Sequence, residues 1–296
     1  FCHFPDRLYL ESIKETFCLQ SFSSIAKRFG VSVTSIIRWF DNLNYPHPKL
    51  PECIAIDELR GNAGGEKFQC NIADPVKHQV IDILPSRNTE NLCKHFLEYP
   101  YKERAAVKKI VMDLSTLFRS VAKTMFPEAK IVADKFHVIR VVINSLENVR
   151  KRIQKEFHAT KRKWFKRSRY LLLKPEYKLT SEDKTELARM LNSSYDLEKA
   201  YVLKERFYEV FRKQTRTEAK KELGKWLLLA ADLSLPEFRH CITTFSNWKT
   251  EIANIIGERV SNGFIEGSNN KIKVLKRISY GVQNFDRFRN RILYLQ

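Results

Sequence analysis

The stretch Cys53-Ile-Ala-Ile-Asp-Glu-Leu-Arg60 marks where the chain changes from helical to extended periodicity. Its apolar, β-branched character predicts a strand, and Gly61-Asn-Ala-Gly-Gly65 turns the chain back. Lys67-Phe-Gln-Cys-Asn-Ile-Ala73 and His78-Gln-Val-Ile-Asp-Ile-Leu84 read as two more strands, with Asp74-Pro75 marking the hairpin between them. Asn88 to Tyr99 places Leu92, His95 and Phe96 on one face of a helix. Val107-Lys-Lys-Ile-Val-Met-Asp113 is a fourth strand and Ser115 to Met125 a helix. Ala129-Lys-Ile-Val-Ala-Asp134 is a fifth strand, and a long helix runs from Phe136.

Three meandering strands, a helix and then β-α-β-α is the order of a ribonuclease H-like mixed sheet; simple doubly wound folds open on βαβ units instead. No strand-like stretch recurs after residue 136. Residues 181–256 carry apolar side chains at helical spacing, among them Leu197, Tyr201, Leu203 and Phe207, then Leu223, Trp226, Leu227 and Ala230. Trp226 and Trp248 read as helix-bundle core rather than a cofactor box. The expected class is α/β, with an all-α insertion at about 145–256.

Ahead of the sheet, residues 8–43 form a small helical unit. Ser24 is expected to cap a helix bearing Ile25, Ala26 and Phe29, and Gly30 to provide its exit. Ser32 or Thr34 then caps a second helix with Ile36, Ile37 and Phe40 inside. Two short helices about a glycine turn form the helix-turn-helix pattern, which would point serines and Arg38 at the major groove. An ordinary helical hairpin is the competing reading. The prolines of Asn44-Tyr-Pro-His-Pro-Lys-Leu-Pro51 exclude helix and stiffen a linker. The expected domains are therefore 1–45 (helix-turn-helix), 46–52 (linker) and 53–296 (catalytic, with the insertion).

Composition narrows the partners. The 296 residues carry 53 Lys and Arg against 34 acids, a net charge of +19. Such an imbalance suits a polyanion, because neutralised phosphates release condensed counterions. A hydrophobic share of 43% excludes intrinsic disorder. Six cysteines with no CxxC pair argue against a zinc finger and against a secreted disulfide scaffold. No apolar run reaches the ~20 residues that cross a bilayer, so a cytoplasmic, nucleoid-associated protein is expected. The chain opens on Phe1 without a signal-peptide pattern, as a truncated or processed piece would. Between Arg150 and Arg169 ten basic residues face one acid, Glu156, with Phe157, Trp164 and Phe165 interleaved. A solvated face is the plain explanation. The density of like charge favours a phosphate-tracking surface, with Arg150, Lys151, Arg152, Lys161, Arg162, Lys163, Lys166 and Arg167 against DNA. A second concentration lies between Lys271 and Arg291, where seven basic residues face one acid; Lys271, Lys273, Lys276 and Arg277 are its DNA-binding candidates.

The chemistry points to carboxylates at strand ends. Asp57 sits inside an apolar strand, where an ionised carboxylate is costly unless paired or bound to a metal. Asp113 ends the fourth strand, so pairing of strands one and four would set the two side by side. Two such carboxylates repel, and a hard divalent cation resolves the conflict. Ser261-Asn-Gly-Phe-Ile-Glu-Gly-Ser-Asn-Asn-Lys-Ile-Lys273 offers Glu266 as a third ligand, with Asn262 and Asn269 or Asn270 on the same helical face. Two cations about 3.5–4 Å apart would activate an attacking oxygen and stabilise a leaving one. Asp134 and His137 form a second constellation, either auxiliary to the chemistry or simply an N-cap with a satisfied histidine. Asn262 and Asn270 are further auxiliary candidates. Glu58 and Arg60 are expected on the opposite face or in a salt bridge.

Five motifs carry a family resemblance: Ala55-Ile-Asp-Glu, Val111-Met-Asp-Leu-Ser, Ala133-Asp-Lys-Phe-His-Val, the Ser261–Lys273 stretch, and Lys276-Arg-Ile-Ser-Tyr-Gly-Val-Gln-Asn-Phe-Asp-Arg-Phe-Arg-Asn-Arg-Ile292. Together they resemble the ISL-three family of insertion-sequence transposases, within the DDE superfamily. The resemblance implies a ribonuclease H-like core, a helical insertion between the second Asp and the Glu, and Asp57, Asp113 and Glu266 as the catalytic, metal-binding triad. It implies Mg²⁺ or Mn²⁺, two per site, double-stranded DNA as partner (element ends and target), and a homodimer on DNA. Family members usually carry a cysteine-rich zinc-binding region ahead of the helix-turn-helix, which this chain lacks. A catalytically inactive DNA-binding remnant and a structure-specific nuclease on the same core are the alternatives.

Overall fold

A computed structural model describes residues 5–61, 63–258 and 262–295. The chain divides into two compact units, Phe1–Ile131 with Val260–Gln296, and Val132–Arg259. Among the described residues no helix is long and apolar enough to cross a membrane.

The first unit begins with three helices, α1 (Asp6–Thr16), α2 (Phe22–Phe29) and α3 (Val33–Asp41). Ser21, not Ser24, caps α2: its backbone is extended and its side chain accepts from the Ser24 amide at 3.1 Å. Ser24 is already inside the first turn, where an amide needs a partner and a cap cannot form. Gly30 closes α2 at φ +65°, and Ser32 caps α3. Ile25, Ala26 and Ile36 form the small core between the helices.

The sheet follows. Strands β1 (Cys53–Arg60), β2 (Phe68–Asp74) and β3 (Gln79–Leu84) are antiparallel neighbours. Helices α4 (Thr89–Leu97) and α5 (Tyr101–Ala106) lead to β4 (Lys109–Met112), which pairs parallel to β1. Helix α6 (Thr116–Met125) connects to β5 (Lys130–Ala133), giving the order β3-β2-β1-β4-β5. Helix α5 has no buried residue, so no apolar stripe announced it. The irregularity opposite Ile72 and Ala73 pairs Val80 with Ala73 but Asp82 with Ile72. One extra residue on β3 thereby turns both Val80 and Ile83 to the same face and Asp82 to the other.

The second unit is helical from Lys135: α7 (Lys135–Gln154), α8 (Ala159–Arg167), α9 (Arg169–Leu173), α10 (Ser181–Leu191), α11 (Tyr195–Tyr208), α12 (Arg216–Asp232), α13 (Arg239–Asn247) and α14 (Lys249–Ala253). Its centre is aromatic. Phe207 stacks on Phe245 with centroids 5.0 Å apart and meets Trp226 edge-on at 5.1 Å. The Trp226 indole donates to the Leu203 carbonyl at 2.8 Å, and Trp226 and Trp248 are both buried, as core residues should be.

The chain then re-enters the first unit as α15 (Gly263–Ile278) and α16 (Phe285–Tyr294). Leu59, Val80 and Ile83 of the sheet pack with Ile272, Leu275, Phe288, Ile292 and Leu293. Helix α16 also holds the N-terminal helices: Arg287 binds both oxygens of Asp41 at 2.8 and 2.6 Å, and Tyr294 stacks on Phe17 at 4.6 Å. The Arg291 guanidinium is buried over the Phe22 ring and donates to the Cys18 and Gln20 carbonyls. Arg289 donates to Asp82 at 2.5 Å. Three of the seven basic residues between Lys271 and Arg291 are therefore structural.

Candidate active site

Strand alternation puts Ala55, Asp57 and Leu59 on one face of β1, opposite Ala73, Asn71 and Gln69 of β2. Helix α15 runs along this face. Ile265 packs on Ala55 and Ala73, and Ile272 joins Leu59 in the neighbouring core. Between them, Asn269 lies over Asp57 and Asn71. Residues 265, 269 and 272 form one helical stripe, spaced to meet alternate residues of a strand.

The polar contacts form a relay. Asn71 Nδ2 donates to Asn269 Oδ1 at 2.8 Å, and Asn269 Nδ2 donates to Asp57 Oδ2 at 2.8 Å. Asp57 Oδ1 accepts from the Glu58 amide, also at 2.8 Å. Asn71 and Asn269 are buried, whereas Asp57 is partly exposed. Asn71 was not picked out in the sequence. It stands as a polar residue in a buried strand, but its importance follows only from its register opposite Asp57.

Asp113 arrives from β4. Ile56 pairs with Met112 in the parallel ladder, so the next residues, Asp57 and Asp113, leave neighbouring strands together. Strand spacing alone sets their backbones roughly 5 Å apart. Their joint field is felt at Cys70, whose thiol is pushed well up, first by burial and then by Asp57 and Asp113. Glu266 is exposed on α15, one residue and about 100° around the helix from the buried Ile265. The side chain brought onto Asp57 is Asn269, not Glu266, and the three carboxylates are not gathered within 4.8 Å of one another. Two adjacent carboxylates with a third on the overlying helix are nonetheless hard oxygen donors of the kind that Mg²⁺ or Mn²⁺ takes.

Asn262 is buried just before α15, and Asn270 is exposed, accepting from Lys273 Nζ at 3.3 Å. Asp134 belongs to the second unit. Its side chain caps α7, accepting from the His137 amide at 3.0 Å and meeting His137 Nδ1 at 2.8 Å. This is an N-capping arrangement with the histidine ring on the capping carboxylate. Glu58 pairs with Arg87, not Arg60.

Residues 54–292 match a family described as Transposase, the ISL-three group of DDE transposases. The chain belongs to this family. It is 26% identical over 241 residues to the transposase for insertion sequence element IS1001 of Bordetella parapertussis, covering 80% of this chain and 59% of that protein. It is 27% identical over 254 residues to the transposase for insertion sequence element IS1557 of Mycobacterium tuberculosis, covering 78% and 57%. The chain thus spans a little over half the length of these relatives. A shorter match, 35% over 94 residues, is to a Lactococcus lactis protein named ATP-dependent protease; it covers 31% of this chain, too little to carry an argument.

In this transposase family member the basic run needs correction. Arg150 is only 4% exposed and donates to Glu147 at 2.8 Å. Arg152 is held by Glu237 at 2.6 Å and Asp196 at 2.9 Å. Both are committed within the second unit, because acids distant in sequence fold back onto them. Phe165 is buried with Phe157 edge-on at 5.1 Å, and the Trp164 indole donates to Glu186, so these aromatics pack rather than stack on bases. Lys151, Arg162, Lys163, Lys166 and Arg167 are exposed, and Lys161 is half-buried over the Phe157 ring. In the first unit Arg38, Lys271, Lys273 and Arg277 are exposed and Lys276 is half-buried.

Proposed function

We propose that the chain carries the catalytic part of an insertion-element transposase, which cleaves DNA at element ends and joins the freed 3′-OH to a target. The observation that supports this reading is the parallel β1–β4 register, in which Ile56 pairs with Met112 just before Asp57 and Asp113, together with the hydrogen bond that ties Asp57 to the helix bearing Glu266. The sheet order, with three antiparallel strands and then a parallel β4, supports a ribonuclease H-like core. The Ser-capped α3 following Gly30 supports a helix-turn-helix, with Arg38 facing DNA.

Asp57, Asp113 and Glu266 would hold Mg²⁺ or Mn²⁺, two ions in the full site. Bound there, such ions supply an acidified attacking oxygen and charge neutralisation at the leaving one. The chain's own residues do the positioning. Asn269 fixes one oxygen of Asp57, and Asn71 fixes which way the Asn269 amide points, because its Nδ2 can meet only the carbonyl oxygen. The exposed Lys271, Lys273 and Arg277, with Lys276, follow Glu266 on α15 and would take phosphates. Lys151, Lys161, Arg162, Lys163, Lys166 and Arg167 would bind backbone elsewhere along the DNA. Bringing two element ends together calls for a homodimer on DNA.

Element-end DNA incubated with the chain and Mg²⁺ or Mn²⁺ tests the reading. Metal-dependent nicking followed by joining to a target is expected. Nicking without joining would favour a structure-specific nuclease, and tight, salt-sensitive binding without nicking would favour a DNA-binding remnant.

A further inference from the structure

We propose that His47, His95 and Glu98 form a site for a divalent transition-metal ion, zinc by donor chemistry, which fastens the linker between α3 and β1 to α4. One ligand atom from each lies within 4.8 Å of the others. His47 Nε2 stands 3.5 Å from Glu98 Oε2. Tetrahedral zinc with bonds of about 2.0–2.1 Å separates its ligand atoms by about 3.4 Å, so this edge already has the required length.

His95 supplies the decisive observation. It is 8% exposed, and its Nε2 has no hydrogen-bond partner. A buried nitrogen left in that state is costly, and a metal ion would satisfy it. On the other side of the ring, Nδ1 lies 3.8 Å from Asp82 Oδ2, the carboxylate that receives Arg289 and the Ile83 amide through Oδ1. A carboxylate behind a ligating histidine is the arrangement that orients metal-binding imidazoles. Burial also lowers the His95 pKa.

The local sequence prepares the geometry. Pro46 and Pro48 flank His47 and limit its backbone, and its ring packs on Tyr99 with centroids 4.5 Å apart. His95 lies in the last turn of α4 and Glu98 is its C-cap residue, three positions on and about one helical turn away. A His47–Glu98 ion pair alone would explain one contact and leave His95 Nε2 stranded. Two imidazoles and one carboxylate favour zinc over Mg²⁺ or Ca²⁺, which take oxygen. The site uses none of Asp57, Asp113 and Glu266, and no CxxC motif announces it.

The test titrates Zn²⁺ into the chelator-treated full chain, following heat of binding and melting temperature, with Co²⁺ as the visible-absorption probe of tetrahedral geometry. One equivalent is expected to bind beyond any taken by the carboxylate site, in wild type and in Asp57→Asn alike. At a hundredfold excess over Kd the melting temperature should rise by about 5–10 °C. His47→Ala and Glu98→Gln, at exposed positions, should keep wild-type circular dichroism yet lose affinity by about tenfold or more and lose the thermal shift. In Asp57→Asn, Mg²⁺ should produce no such shift. Absence of stoichiometric Zn²⁺ binding in wild type, or undiminished binding by His47→Ala and Glu98→Gln, would overturn the proposal.

Discussion

Replacing Asn269 with alanine removes both hydrogen bonds through which α15 ties Asn71 to Asp57. Asn71 is fully buried and its Oδ1 already lacks a partner, so the substitution strands its amide at both ends. A buried donor left unsatisfied costs about 1–3 kcal/mol, and a charge-assisted bond contributes about 1.5–3 kcal/mol. The second figure is discounted because Asp57 is partly exposed and water can replace part of the contact. The expected destabilisation is about 3 kcal/mol, or roughly 6–12 °C in melting temperature for a unit of this size. Asn71→Ala should cost less, about 1–2 kcal/mol, because it also removes the unsatisfied Oδ1. In the double variant the Asn71 substitution should then be neutral or stabilising, a coupling of about 1–2 kcal/mol. Urea and thermal unfolding of the two single variants and the double variant measure it. Effects that add to within about 0.5 kcal/mol, or a larger cost for Asn71→Ala than for Asn269→Ala, would refute the relay.

Four further outcomes are expected. Arg150→Ala should lower stability by about 1–3 kcal/mol, because the buried Glu147 loses one of its partners and keeps Arg169 at 3.3 Å; Lys163→Ala or Arg167→Ala should leave the melting temperature unchanged and reduce the salt slope of DNA binding by about 0.9 each. Tyr280 is 95% exposed at φ +51°, so Tyr280→Gly should stabilise the chain by about 1 kcal/mol, read as a higher urea midpoint. The Cys70 thiol is raised above its ordinary 9.0, chiefly by burial, so above that pH the unfolded chain loses a proton that the folded chain keeps. Stability should therefore fall as pH rises past 9.0, and more steeply in wild type than in Cys70→Ala; equal slopes would contradict the assignment.

The strands were legible because each is a short apolar run bounded by turn residues; the pairing of β1 with β4, only a condition in the sequence, is parallel in the structure. The Asp134–His137 cap was legible too, since both partners lie within one helical turn. What escaped depends on tertiary contact. The extra residue in β3, which turns Asp82 toward His95, has no signature in Gln79-Val-Ile-Asp-Ile-Leu84. Asn71 gains its role only through register, and Asn269 through the way α15 lies on the sheet; sequence spacing pointed equally to Asn270. The charge run between Arg150 and Arg169 looked uniform because Asp196 and Glu237, which bind Arg152, lie 44 and 85 residues away.

The central proposal is that Asp57, Asp113 and Glu266 hold the metal. Its most direct test is the Mg²⁺-dependent rate of element-end cleavage by Asp57→Asn, Asp113→Asn and Glu266→Gln, measured beside DNA affinity and melting temperature. Each variant is expected to lose about a thousandfold or more in rate, equivalent to about 4 kcal/mol of barrier, while binding DNA like wild type. Cleavage by any of the three within about tenfold of wild type would remove that residue from the site.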